Sequence, residues 1–133
     1  WMPQSGTRSG NPVAAVAGLA TVKILKRPGT YERMHQIGNK IKSGLEKTLN
    51  ESSITSKVVG EGVLFDVFFT DHNIVDYRST LKADKSKLMK FNALLRNTGI
   101  LKGDSKFYLS TVHDDSDAEQ TIEAFRSVVD KIN

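Results

Sequence analysis

The residue types that most often carry out chemistry in proteins are few in this sequence, and their spacing suits no common catalytic or metal site. The histidines lie far apart along the chain, at no spacing typical of metal ligands. They are His35, His72 and His113. An acidic cluster at 114–117 lacks the alternating ligands, central glycine and final glutamate of a calcium-binding loop. We therefore interpret the histidines as surface or half-buried residues, and we expect the acidic cluster to cap a helix.

Other familiar kinds of site are also missing from the sequence. The chain has no cysteine, which excludes disulfides, thiolate metal ligands and a cysteine nucleophile within these 133 residues. It has no Ser-His-Asp set and no glycine-rich phosphate loop ending in Gly-Lys-Ser/Thr. Taken alone, the residue types therefore predict no more than a soluble α+β domain.

Composition narrows the class of partner. Apolar residues make up 38% of the chain and charged residues 26%, which is typical of a globular protein and not of a disordered one. The net charge is +4 and the basic residues are scattered, so nucleic-acid binding is only weakly indicated and we expect no nucleic-acid partner. No apolar stretch approaches the roughly 18 residues that a bilayer span needs, and no leader is recognisable. We expect no membrane partner and a cytoplasmic location.

The first predicted helix has an unusual composition. Pro12 suits the first position of a helix, with Asn11 or Ser9 as its cap, and the stretch 13–25 is almost uncharged. Lys26-Arg27 and then Pro28-Gly29 should end it. A helix that is apolar on all sides needs to be buried on all sides. We therefore expect it to pack against protein that is not part of this chain.

The rest of the chain predicts a two-layer α+β sandwich, in which helices cover a small three-stranded sheet. Apolar residues at spacings of three and four predict an amphipathic helix from Tyr31 to about Asn50. The predicted strands are 55–59, 63–70 and 106–111, and the second is the expected central strand. Between the second and third strands we expect a polar loop at 71–85, with room for a short turn of helix, and then a helix at 86–97. A last helix follows the acidic cluster. The unit 63–111 would be right-handed if its strands were parallel neighbours.

Seven short motifs occur in a fixed order along the chain. The first is Gly-Thr-x-Ser-Gly-Asn-Pro at 6–12, which runs directly into the alanine-rich helix. The others are Pro-Gly-x-Tyr-Glu-Arg at 28–33 with the long helix, Gly-Val-Leu-Phe at 62–65, Phe-Phe-Thr-Asp at 68–71, Leu-Leu with Gly-Ile at 94–100, Leu-Ser-x-x-His-x-x-x-Asp at 109–117 and Thr-Ile at 121–122. Together these motifs resemble the class III, fold type I pyridoxal-phosphate aminotransferases, and most closely the glutamate-1-semialdehyde aminomutase branch. The resemblance extends from about Ser5 to the end of the chain.

The resemblance implies a cofactor and two residues that bind it. In this family the Gly-Thr step reaches from one subunit to the phosphate of the pyridoxal 5'-phosphate bound in the other subunit of a dimer. Gly6 and Thr7 are the matching positions here, and no residue is assigned a catalytic or metal-binding role. The implied organisation is a phosphate-contacting loop and large-domain-type helix at 1–27, followed by the C-terminal small domain at 28–133. The implied substrates of the intact enzyme are small amino and carbonyl compounds.

The sequence departs from the family pattern in two places. The family forms its Schiff base through a lysine upstream of the Gly-Thr step, and no position in this chain matches that lysine. The aminomutase branch carries a Pro-Ser-x-Phe-Glu-x-Gly-Phe-like stretch before its last strand, whereas the stretch 101–108 is shorter and lacks the glutamate. We therefore expect the chain to be inactive alone. Aminomutation and transfer between two molecules both stay open.

A different hypothesis is that the chain is a free-standing interaction module derived from such a domain. Its apolar segment 13–25 would then be buried in a homo-oligomer. An upstream reading frame that encodes a large domain would favour the enzyme hypothesis, and a start codon near Met2 would favour the module.

Overall fold

The computed structural model describes residues 6–132, and their secondary structure follows the predicted order. The first two helices are α1, Pro12–Leu25, and α2, Thr30–Glu51. Two strands follow, β1, Lys57–Glu61, and β2, Leu64–Phe68, and then the helices α3, Tyr77–Thr80, and α4, Lys85–Asn97. The last elements are β3, Phe107–Tyr108, and α5, Asp115–Val129. The chain divides into two compact units, Trp1–Glu32 and Arg33–Asn133.

The first unit contains α1 and the turns on either side of it. Asn11 is the N-cap, and its side-chain oxygen accepts hydrogen bonds from the backbone N–H groups of Val13 and Ala14 at 2.9 and 3.2 Å. Pro12 occupies the first turn, where a missing N–H costs nothing. The helix ends at Lys26, whose N–H donates to the carbonyl of Val22. No side chain of α1 is buried, although the helix is almost entirely apolar.

The second unit is built on an antiparallel sheet with the strand order β1-β2-β3. The β1–β2 hairpin pairs five residues on each side, from Lys57 with Phe68 to Glu61 with Leu64. The β2–β3 pairing is much shorter, with only Leu64 opposite Tyr108 and Phe65 opposite Phe107. β2 is therefore the central strand, as its β-branched and aromatic composition predicts.

The core of the second unit lies where α2, α4 and α5 pack against the sheet. The apolar positions of α2 that recur at spacings of three and four are buried, which confirms the predicted amphipathic helix. Phe65, Phe91, Phe107 and Phe125 form a connected aromatic cluster with ring centroids 4.8 to 6.2 Å apart. Other large side chains that are fully buried in this core are those of Ile37, Leu45, Leu95, Val67, Val128 and Val129.

Close packing between α2 and the β1–β2 turn depends on two glycines. A Cβ atom at Gly38 would run into the carbonyl oxygen of Gly62, and a Cβ at Gly62 would contact the Asn39 amide side chain. Because neither position can carry a side chain without a shift of backbone or of Asn39, the helix can lie directly against the turn. This contact sets how α2 covers the sheet.

The structure corrects the bounds of all three predicted strands. The first strand begins at Lys57 and not at 55, and it extends through Gly60 and Glu61, where Gly60 takes up a φ of +119°. The second strand is Leu64–Phe68, which is shorter than the predicted 63–70. The last strand is only two residues long, because Lys106 has a φ of +67° and interrupts the extended chain just before Phe107. β2 and β3 are antiparallel neighbours. The right-handed connection predicted for parallel neighbours therefore does not apply to the unit 63–111.

Candidate functional site

The predicted phosphate-contacting segment forms a tight turn that leads into α1. The N–H of Ser9 donates to the carbonyl of Gly6 at 3.0 Å, and the N–H of Asn11 donates to that of Arg8 at 3.2 Å. Gly10 has a φ of +76°, a conformation that glycine adopts at little cost. Asn11 then caps the helix. The turn is therefore closed by its own backbone, and every residue from 6 to 11 is exposed.

Several hydrogen-bond donors of this turn have no partner within residues 6–132. They are the hydroxyl and the N–H of Thr7 and the N–H groups of Arg8 and Gly10. The first N–H groups of α1 are not among them, because the Asn11 side chain already accepts two of these hydrogen bonds. A phosphate at this place would therefore bind the turn and the Thr7 hydroxyl, and not the first turn of the helix.

The charge of the first unit suits an anion. The sequence has no acidic residue before Glu32, whereas the same stretch contains Arg8, Lys23, Lys26 and Arg27. The positive end of the α1 dipole also lies next to the turn. A dianionic group bound near Thr7 would meet no like charge from this part of the sequence.

Nothing within the described chain requires a glycine at position 6. A Cβ atom there would meet only the hydroxyl oxygen of Ser9, at 3.0 Å, which is the end of a small side chain that can rotate. The missing side chain instead leaves the main chain open to close approach from outside the turn.

The histidines are exposed or half-buried, and the acidic cluster caps a helix. Within residues 6–132, no group of three or more His, Asp or Glu side chains could hold a metal ion. His72 is exposed, whereas the ring of His113 accepts a hydrogen bond from the N–H of Ser110 at 3.0 Å. Asp114 caps α5 and accepts from the N–H groups of Ser116 and Asp117, which confirms the predicted helix cap.

A surface network of charges joins α2 to the first turn of α5. Asp115 lies 2.8 Å from Arg33 and 3.3 Å from Lys40, measured between side-chain oxygen and nitrogen atoms. The Arg33 guanidinium, and then the Lys40 ammonium, lower the pKa of Asp115. Hydrogen bonding to Glu119 raises the pKa of Lys40 in turn. These exposed pairs contribute little stability individually, so we interpret them as a solvated face and not as a site.

One buried charge pair was missed by sequence reasoning. The Lys102 ammonium nitrogen lies 3.1 Å from Asp66 Oδ1, and the two side chains are 0% and 7% exposed. Burial lowers the pKa of Lys102, and the nearby Asp66 carboxylate opposes that shift. The sequence gives a signal for one member of this pair, since Asp66 is the single charge inside an apolar strand. Nothing local to Lys102 distinguishes it from the exposed lysines.

Helices capable of crossing a bilayer are not found in the part of the chain that the structure describes, since none combines the required length with sufficient apolar character.

Comparison with known proteins agrees with the fold and the motifs. The sequence model of the family "Aminotransferase class-III" matches residues 2–129. A glutamate-1-semialdehyde 2,1-aminomutase of Thermomicrobium roseum is 33% identical over 132 residues, which cover 97% of this chain and 31% of that protein. An omega-transaminase from Sphaerobacter thermophilus has a matching structure with a TM-score of 0.88 and 26% identity, over 98% of this chain and 30% of that one. A transaminase solved with PLP bound shares the fold, with a TM-score of 0.82 and 23% identity over 98% and 30% of the two chains.

The chain belongs to the class-III aminotransferase family, which confirms the family predicted from its motifs. It spans about 30% of the length of the relatives that it matches, so it corresponds to one region of such an enzyme. The α+β sandwich with a three-stranded sheet is likewise confirmed.

Proposed function

We propose that this chain forms the C-terminal region of a pyridoxal-phosphate-dependent enzyme that moves an amino group between an amino compound and a carbonyl compound. Residues 1–27 would supply a phosphate-contacting loop and a helix of the large domain, and residues 28–133 the small domain. The single observation that carries this proposal is the exposed Thr7 turn, with its unpartnered donors, in front of an apolar helix that buries none of its side chains. The family match supports the same reading.

The residues of the turn fit a phosphate group. Thr7 would donate through its hydroxyl and its N–H, and the N–H of Arg8 lies next in sequence. Gly6 would let the main chain approach the phosphate closely. When bound, pyridoxal phosphate acts as an electron sink for the carbon that carries the amino group. The chain's own residues would hold the phosphate without adding a charge other than the Arg8 side chain.

The second unit would serve the reaction by shaping and closing the site. A domain with its own core can move as a rigid body, and it excludes water where it packs against a neighbour. We assign no catalytic residue in this chain, because no position matches the Schiff-base lysine of the family. The amino donor, the acceptor and the choice between aminomutation and intermolecular transfer are not fixed by these residues. We place the enzyme in the cytoplasm as a homo-oligomer.

A chimera tests the phosphate contact. This chain would replace the matching 31% of the Thermomicrobium roseum enzyme, and pyridoxal-phosphate affinity would be measured by titration. Because a hydrogen bond to a charged group contributes about 1.5 to 3 kcal/mol, Thr7→Val should weaken binding by roughly tenfold or more. Thr21→Val is the matched control, since the Thr21 hydroxyl donates to the Ala17 carbonyl within α1. Equal affinities for the Thr7→Val and Thr21→Val chimeras would contradict the proposed contact.

The 133-residue chain alone should behave differently from the chimera. It lacks the family's lysine, so we expect no stoichiometric adduct with pyridoxal phosphate that borohydride can reduce, and no transaminase activity. Titration followed by mass spectrometry of the reduced protein measures this. A single lysine modified stoichiometrically would refute the expectation.

The exposed apolar helix also favours a second candidate, a homo-oligomeric interaction module that buries α1 between copies. Sedimentation of the wild-type chain and of Val16→Glu would test it, because a charge on this surface should dissociate such an oligomer. A monomer at all concentrations would exclude the module.

A further inference from the structure

The loop at 101–106 is held by hydrogen bonds that involve side chains and not by hydrogen bonds between backbone groups. Within residues 6–132, no N–H or carbonyl of this loop takes part in a backbone-to-backbone hydrogen bond outside the regular elements. The strand that follows it pairs only two residues with β2, and one further bond joins the N–H of Leu109 to the carbonyl of Val63. Lys106, at the end of the loop, also holds a left-handed conformation that is uncommon for a residue other than glycine.

Two buried side chains reach this loop. Lys102 extends inward, where its ammonium group contacts the Asp66 carboxylate at 3.1 Å, the Gly103 carbonyl at 3.4 Å and the face of the Phe107 ring at 5.2 Å. From α4, the buried Asn92 amide donates to the carbonyls of Gly103 and Asp104 at 3.3 and 3.5 Å. Both contacts therefore meet at Gly103.

Stability alone does not explain a buried ion pair at this place. Removing two charges from water is costly, and their attraction often only compensates for that cost, so an apolar pair of similar size can be equally stable. What an apolar pair cannot do is donate hydrogen bonds to a carboxylate and to a carbonyl at fixed places. A role in fixing geometry therefore accounts for Lys102 better than a role in stabilising the fold.

The loop also borders a groove. Ser105 and Lys106 are among the residues that line a mainly apolar groove of about 580 Å³, together with Val59, Leu64 and Tyr77. Asp66 contributes to the same groove, so the residue that receives the Lys102 ammonium also borders the surface that the loop completes.

We propose that Lys102 and Asn92 are positioning residues, which anchor the loop at 101–106 to Asp66 and to α4 and so place Ser105 and Lys106 at the groove. The proposal concerns the second unit alone and does not depend on the proposed phosphate contact.

The test compares a single with a double variant of the 133-residue chain. Lys102→Met keeps the volume but leaves a buried carboxylate unpaired, whereas Asp66→Asn with Lys102→Met removes both charges. Two local readouts are the rate of trypsin cleavage after Lys106 and the exchange rate of the Leu109 amide hydrogen. Global stability is measured in parallel by urea unfolding. Ile37→Val is the control for a modest loss of core packing far from the loop in sequence.

We expect Lys102→Met to lower the free energy of unfolding. It should also raise the rate of trypsin cleavage after Lys106 and the exchange rate of the Leu109 amide by about tenfold or more. The double variant should regain global stability, yet cleavage after Lys106 and Leu109 exchange should stay about tenfold faster than in the wild type. Ile37→Val should leave both local readouts unchanged in native conditions. If the double variant returned both local readouts to wild-type values, the positioning role would be refuted. This result decides the proposal even if the single variant fails to fold.

Discussion

The two units of the chain use apolar residues in opposite ways. In the second unit, Leu45 is 0% exposed and belongs to a core to which α2, β2, α4, β3 and α5 all contribute. In the first unit, Leu19 is 56% exposed on a helix that buries no side chain. A core of the first kind accounts for a fold by itself. The exposed apolar side chains of α1 form the kind of surface that in other proteins commonly marks an interaction site.

This contrast separates what local sequence can specify from what packing must supply. The predicted α1 follows from local signals, namely the Asn11 cap, Pro12 and the Lys26-Arg27-Pro28-Gly29 ending, and each of them takes its predicted role. The residues of α1 and its caps do not specify what packs against the helix. The relative from Thermomicrobium roseum is about three times longer than this chain, and in the proposed intact enzyme the additional residues would cover α1.

The largest difference between the units is expected when leucine is replaced by alanine in each of them. Leu45→Ala removes a fully buried side chain from the core and should cost about 2 to 5 kcal/mol of unfolding free energy. Leu19→Ala removes a side chain that is already half in water, so we expect a change within about 0.5 kcal/mol. Urea unfolding followed by near- and far-ultraviolet circular dichroism measures both. Similar losses for the two variants would mean that α1 is buried in solution.

Glycine-to-alanine substitutions should differ in sign between the units. Gly38→Ala places a Cβ against the Gly62 carbonyl, so it should destabilise the second unit by roughly 1 to 3 kcal/mol. Gly18→Ala meets nothing within 4 Å and replaces a poor helix former, so it should stabilise α1 by about 0.5 to 1 kcal/mol. Far-ultraviolet helicity and urea midpoints report the two effects. A neutral Gly38→Ala variant would show that α2 does not lie against the β1–β2 turn.

The smallest expected effect is electrostatic. Because Arg33 and Lys40 lower the pKa of Asp115 in the folded state, its stabilising contribution is present above the ordinary carboxyl pKa and is lost as the pH falls through the lowered value. Asp115→Asn should therefore lower the urea midpoint slightly at pH 6 and hardly at all at pH 2. Added salt should reduce the difference at pH 6. A larger deficit at pH 2 than at pH 6 would contradict the assigned interaction.

Most of the fold can be predicted from the sequence, but only part of the contacts that organise the second unit can. The period of α2 and the composition of β2 reflect burial on one face, which repeats along the sequence and can be read from it. The Lys102–Asp66 pair joins residues 36 positions apart, and Lys106 has its left-handed conformation in the loop that contains Lys102. Neither has a local signature. Gly6 and Thr7 were predicted from the family motif, and their contact with a phosphate stays a prediction.

The contrast between the units is tested most directly by native-state amide hydrogen exchange of the dilute 133-residue chain. We predict that the amides of α1, from Ala15 to Leu25, exchange at least a hundredfold faster than the most protected amides of α2, α4 and α5, because no buried side chain holds α1 in place. Equal protection of α1 and of the core helices in a monomer would contradict the account.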